Sequence, residues 1–181
     1  MASAYCHCIE GWPRVRCKMR ESFRGVQSIL DLFKPALRGL PRLQHLILKG
    51  LGDDGLVWLK LPPPMANTGK ALASCRRQIE NVLTKGPHVY KVGVTADPLF
   101  RFYKEPTHES PSPGYYRSPD RFKFMDVIYA AESFDEAALM EAVLIETYKG
   151  MPGNRNVRPG GEGRQCGQGP FFTYFVFKSA M

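Results

Sequence analysis

The chain has 181 residues, of which 44% are hydrophobic and 23% charged, a balance that calls for a globular protein with a core of its own. No apolar run approaches the roughly 20 residues a membrane-spanning helix needs, and the first residues have no apolar segment of the secretory kind. The net charge of +8 suggests a polyanionic partner. Its surplus is uneven. Residues 1–49 hold nine Lys and Arg against three Asp and Glu, whereas residues 75–181 hold fourteen against twelve.

Five cysteines form no regular framework, so free thiols in a reducing, intracellular compartment are expected. Cys6-His7-Cys8 with Cys17 lacks the two-to-four-residue spacing of structural zinc ligands. Arg, Ser and few acids near the start allow an organelle transit segment, and nucleus or organelle is open as a destination.

Residues 1–25 show no periodicity. Residues 26–34 and 37–48 are short apolar stretches broken by Pro35 and Pro41. Residues 55–61 read as a strand. Pro62-Pro63-Pro64 and the polar residues to Gly69 read as a linker, which places a boundary there. The expected organisation is a basic N-terminal extension with a Pro-rich linker over 1–69, partly disordered, and a domain over 70–181.

Within that domain the apolar spacing predicts a helix over 71–84, ended by Lys85-Gly86-Pro87. Residues 88–94 alternate and predict a strand. Asp97-Pro98 predicts an N-cap and a short helix over 98–104. Four prolines make 105–120 a loop. A second strand is expected over 123–130 and the clearest helix over 134–149. Residues 150–170 are Gly-rich. Residues 171–177 are apolar on both faces and predict an internal strand.

On the 134–149 helix the apolar stripe is Ala137, Ala138, Leu144, Ile145 and Tyr148. At about 100° per residue Glu141 falls in the middle of it. A carboxylate on a buried face is costly unless paired, metal-bound or at a cleft edge. Arg101, on the short helix, offers a planar fork suited to phosphate or carboxylate. Gly93, at the end of the first strand, permits close backbone approach.

The order Tyr90-Lys91-Val92-Gly93-Val94-Thr95, Asp97-Pro98, Arg101, Glu141-x-x-Leu144-Ile145 and Asn156 resembles the GIY-YIG nuclease superfamily, over roughly residues 86–160. It is most similar to the branch whose second motif reads Tyr-Lys-Ile-Gly-x-Thr. In that superfamily an Arg comes eight residues after the second-motif Gly, as Arg101 does after Gly93. The metal-binding Glu opens a Glu-x-x-Leu-Ile helix, as Glu141 does. The resemblance implies an α+β fold: a small, mainly antiparallel sheet flanked by helices. It implies metal-dependent hydrolysis of DNA phosphodiesters, with Mg²⁺ or Mn²⁺ on Glu141 and phosphate on Arg101. Lys91, Gly93, Thr95 and Asn156 take positioning or nucleic-acid roles.

The sequence departs from the motifs at the tyrosines. The near match to the first motif is Gly55-Leu56-Val57-Trp58, with Trp for Tyr and a long insertion behind it. Lys91 stands where the second motif has Tyr. Tyr90 is adjacent but points to the opposite strand face. Tyr90 and, in the loop, Tyr115 or Tyr116 are the phenols on offer, with His108 as a further group. The alternative expectation is a catalytically inactive module of the same shape that binds nucleic acid or protein.

Overall fold

A computed structural model describes residues 25–52, 55–86, 88–160 and 169–180. The cysteines at 6, 8, 17 and 166, with His7, lie outside them, as do residues 1–24 of the basic leader. Residues 25–30 are helical. The elements that follow are α1 (Pro35–Arg38), α2 (Pro41–Leu48), β1 (Val57–Leu59), α3 (Thr68–Leu83), β2 (His88–Thr95), α4 (Pro98–Tyr103), β3 (Phe124–Ala131), α5 (Phe134–Thr147) and β4 (Phe171–Ser179).

The fold class is α+β, with one four-stranded sheet ordered β1-β3-β4-β2. Two of its three pairings are antiparallel; β1 runs parallel to β3. β4 lies inside the sheet, which is why its run Phe171–Val176 is buried throughout. Phe172, Tyr174 and Val176 face one side, while Phe171 and Phe175 face the other.

Helices cover both faces. α3 and α5 pack over Tyr90, Val92, Ile128 and Phe175. Asn67 caps α3 by accepting from the Lys70 N–H, and Ser133 caps α5 by accepting from the Glu136 N–H. The stripe expected on α5 is buried, and Glu141 lies within it at 8% exposure.

The opposite face is covered by the N-terminal third, and here the structure departs from the expected organisation. Phe33, Leu37, Leu43, Leu46, Ile47, Leu51 and Val57 are buried with Met125, Val127, Phe172 and Val176. Pro62–Gly69 therefore connects two parts of one fold, and residues 25–61 are not an appendage. The helical chain is interrupted before Pro35 and before Pro41, as expected, and each proline then starts the next helix. Each occupies the first turn, where a missing N–H costs nothing and a fixed φ suits the helix. Lys34 ties this layer to the rest: its ammonium bonds Glu136 at 2.8 Å and the Tyr129 hydroxyl at 3.1 Å.

Candidate functional site

Asp97 accepts a hydrogen bond from the Phe100 N–H and so starts α4 directly after β2. Thr95 shapes the turn before it. Its buried hydroxyl exchanges hydrogen bonds with the Asp97 backbone and is not free for a ligand. With that turn set, Arg101 leaves α4 toward the strand face that carries Lys91 and Gly93.

These groups line one open cleft of about 360 Å³, together with Tyr115, Glu141, Ile145, Asn156, Arg158 and Tyr174. Glu141 enters from α5 on one face of the sheet. Arg101, Lys91 and Tyr174 stand on the other, and the cleft wraps the β2 edge between them. Among the described residues its lining carries Lys91, Arg101 and Arg158 against Glu141, a balance that attracts negative charge.

Tyr174 is the principal residue that the sequence reading missed. β2 and β4 pair antiparallel with Gly93 opposite Tyr174, so both face the same side. Gly93 has no Cβ, and the Tyr174 ring lies across it: a methyl group at 93 would overlap the phenol. The Tyr174 hydroxyl accepts from Arg101 Nε at 3.4 Å and lies 2.9 Å from the Tyr115 hydroxyl, which accepts from Arg101 Nη2 at 3.4 Å. Burial pushes the Tyr174 phenol well above its ordinary pKa, the neighbouring Tyr115 adds to this, and Arg101 only partly offsets it. Tyr174 is therefore a neutral hydroxyl at physiological pH, a hydrogen-bonding group and not a phenolate.

Compared with known proteins, the chain matches no family model, no curated protein and no solved structure.

Of the three tyrosines on offer as phenols, Tyr90 and Tyr116 lie elsewhere. Tyr90 is fully buried on the α3–α5 face, its ring 5.6 Å from that of Phe175. Alternation along β2 puts it opposite Lys91, and the core claims it. Tyr116 is 40% exposed and packs on Phe102 and Tyr103, outside the cleft lining. Tyr115, its neighbour, is the loop phenol that reaches the cleft. His108 is exposed in the same loop. β1, which contains Trp58, stands at the sheet edge farthest from β2.

Asn156 lines the cleft, but its amide is used. Oδ1 accepts from the Val92 N–H at 2.9 Å and Nδ2 donates to the Val92 carbonyl at 2.8 Å. With Tyr90 N–H on the Gly153 carbonyl and Arg155 N–H on the Tyr90 carbonyl, it closes part of the outer edge of β2. Its role is to hold the cleft wall.

The donor set among the described residues is not a metal cage. No group of three His, Cys, Asp or Glu side chains gathers among the described residues. Glu141 is the carboxylate in the cleft. One carboxylate, with waters and substrate phosphate, suffices for Mg²⁺.

Proposed function

We propose that this protein is a metal-dependent endonuclease of GIY-YIG type, hydrolysing DNA phosphodiester bonds in the cleft beside β2. The observation that carries the reading is convergence. Arg101, Glu141 and two tyrosine hydroxyls, from four separate elements of the chain, line one open cleft. Side chains kept apart by 14 to 73 residues of sequence have no structural need to meet at the wall of an open cleft. A pair serving stability alone would sit closed in the core.

Phosphodiester cleavage needs charge stabilisation on the phosphoryl oxygens, an oriented water and relief for the leaving oxygen. Arg101 supplies a planar donor fork to the phosphate, and Lys91 adds a point charge. The Tyr174 hydroxyl, held by Arg101, orients the attacking water by hydrogen bonding. Glu141 would hold Mg²⁺ or Mn²⁺, which supplies Lewis-acid stabilisation of developing charge. The phenol over Gly93 comes from β4 at the C-terminal end, so a tyrosine in the 55–58 motif is not required for a phenol to be present.

The test is nicking of supercoiled plasmid by the purified protein. Relaxed circles should appear with Mg²⁺ or Mn²⁺ and disappear with excess EDTA. Nicking that persists in EDTA would point to a contaminant or another chemistry. DNA affinity should fall steeply as salt rises, because phosphate contacts release counterions.

A further inference from the structure

We propose that Tyr115 is the positioning residue of the cleft: its ring beds both Lys91 and Arg101, and its hydroxyl couples Arg101 to Tyr174. The proposal rests on the anion-binding reading above.

Tyr115 comes from the Pro-rich segment 105–120, which composition reads as a loop. That segment is strapped down. Gly114 N–H donates to the Lys104 carbonyl, Tyr115 N–H to the Arg101 carbonyl and Tyr116 N–H to the Phe102 carbonyl. The strap lies so close to α4 that a Cβ at 114 would overlap the Phe102 carbonyl, so only glycine fits there. Phe122 returns an N–H to the Tyr115 carbonyl and packs edge-on against its ring at 5.6 Å. The backbone of Tyr115 is thus tied to the same residue, Arg101, that its side chain serves.

The ring carries two cations. The Arg101 guanidinium is 5.0 Å from its centroid and the Lys91 ammonium 5.8 Å. Both distances lie within the range of cation–π attraction. Two like charges on long, rotamer-rich stems would otherwise spread apart in solvent. Tyr115 gives both cations one ring to lie against and so sets their spacing before any anion arrives. Preorganisation of this kind improves binding without a new contact to the ligand. The hydroxyl does a second job: with Tyr174 it gives the Arg101 fork two fixed acceptors, which orient the plane of the guanidinium.

Ring and hydroxyl are separable. Tyr115→Phe keeps the cation bed and removes the coupling to Tyr174. Tyr115→Leu keeps apolar bulk and removes the bed. Two readouts apply to variants shown by thermal unfolding to be folded: the NMR signal of the Arg101 Nε–H, and affinity for a fluorescein-labelled DNA duplex. The Arg101 signal should be slowly exchanging in the wild type and lost in Tyr115→Leu. Affinity should fall about tenfold in Tyr115→Leu and stay near wild type in Tyr115→Phe, whose nicking rate falls instead. A folded Tyr115→Leu with the Arg101 signal and the affinity unchanged would overturn the proposal. Wild-type protein that neither binds nor nicks DNA, with the Arg101 signal still lost in Tyr115→Leu, would support the positioning role and overturn the nuclease reading.

Discussion

Tyr174 lies across Gly93, its phenol filling the space where a side chain on the neighbouring strand would stand. The missing side chain on β2 and the hydroxyl on β4 are one feature of the cleft. Gly93→Ala forces the ring away, and because Tyr174 is fully buried it has little room to move. The substitution should cost about 1–3 kcal/mol of stability as overpacking. It should also break the Arg101–Tyr174 hydrogen bond and lower nicking roughly a hundredfold. Chemical denaturation and plasmid nicking on the same sample check both.

The N-terminal third should prove inseparable from the rest. Removing residues 1–69 would bare Met125, Val127, Phe172 and Val176 on one face of the sheet. The fragment 70–181 should aggregate or lack a cooperative unfolding transition. Within the full chain, Leu43→Ala should cost roughly 2–5 kcal/mol. A fragment 70–181 that melts cooperatively would contradict this account of the fold.

The Lys34–Glu136–Tyr129 cluster predicts a pH dependence of stability. Burial opposes the charge on Glu136, but hydrogen bonds from Lys34 and Tyr129 outweigh it, and the carboxyl sits below its ordinary value. A lowered acid contributes stability above its unfolded pKa and loses it as pH falls through the folded one. The pair is partly exposed, at 32% and 39%, which limits its worth to at most about 1 kcal/mol. Glu136→Gln should therefore be less stable than wild type at pH 7, with the gap closing at pH values well below 4. Urea titrations across that range measure it.

Asp126 should behave in the opposite sense. Burial raises its pKa even though Lys60 bonds one oxygen at 2.9 Å. The other oxygen has no hydrogen-bond partner among the described residues. An acid whose folded pKa is raised destabilises the fold above that pKa. Asp126→Asn should be neutral or stabilising at pH 7, with the advantage shrinking as pH falls through the acid range. Lys60→Met, which strands the carboxylate, should cost about 3–5 kcal/mol.

Much of this was legible in the sequence where one residue's neighbours decide its state. The stripe on α5 placed Glu141 on the buried side, because helix periodicity needs only local residues. Asp97-Pro98 likewise located α4 and Arg101. Tyr174 was not legible: it sits in Phe171–Phe177, apolar on both faces, where alternation gives no hint of which side matters. Its meaning arises from pairing with Gly93, some 80 residues away in sequence. Pro35 and Pro41 marked the breaks correctly but not the helices that restart at them, for a related reason. Proline forbids a helix interior but favours the first turn, and only the packing of Leu37, Leu43 and Leu46 decides between the two. Tyr115 was legible as a candidate phenol, but the choice between it and Tyr116 was not, since composition marks a loop without saying what the loop is tied to.

The central claim is that Glu141 and Arg101 face one reactive phosphate. The most direct measurement sets Glu141→Gln beside wild type in plasmid nicking with Mg²⁺ and with Mn²⁺, together with DNA affinity in the absence of metal. The account predicts nicking by wild type, its loss in Glu141→Gln, and affinity that is retained or improved once the carboxylate is neutral. Undiminished nicking by a folded Glu141→Gln would contradict it. Absence of nicking by wild type in both metals would equally sink the nuclease and leave a DNA-binding module of the same shape.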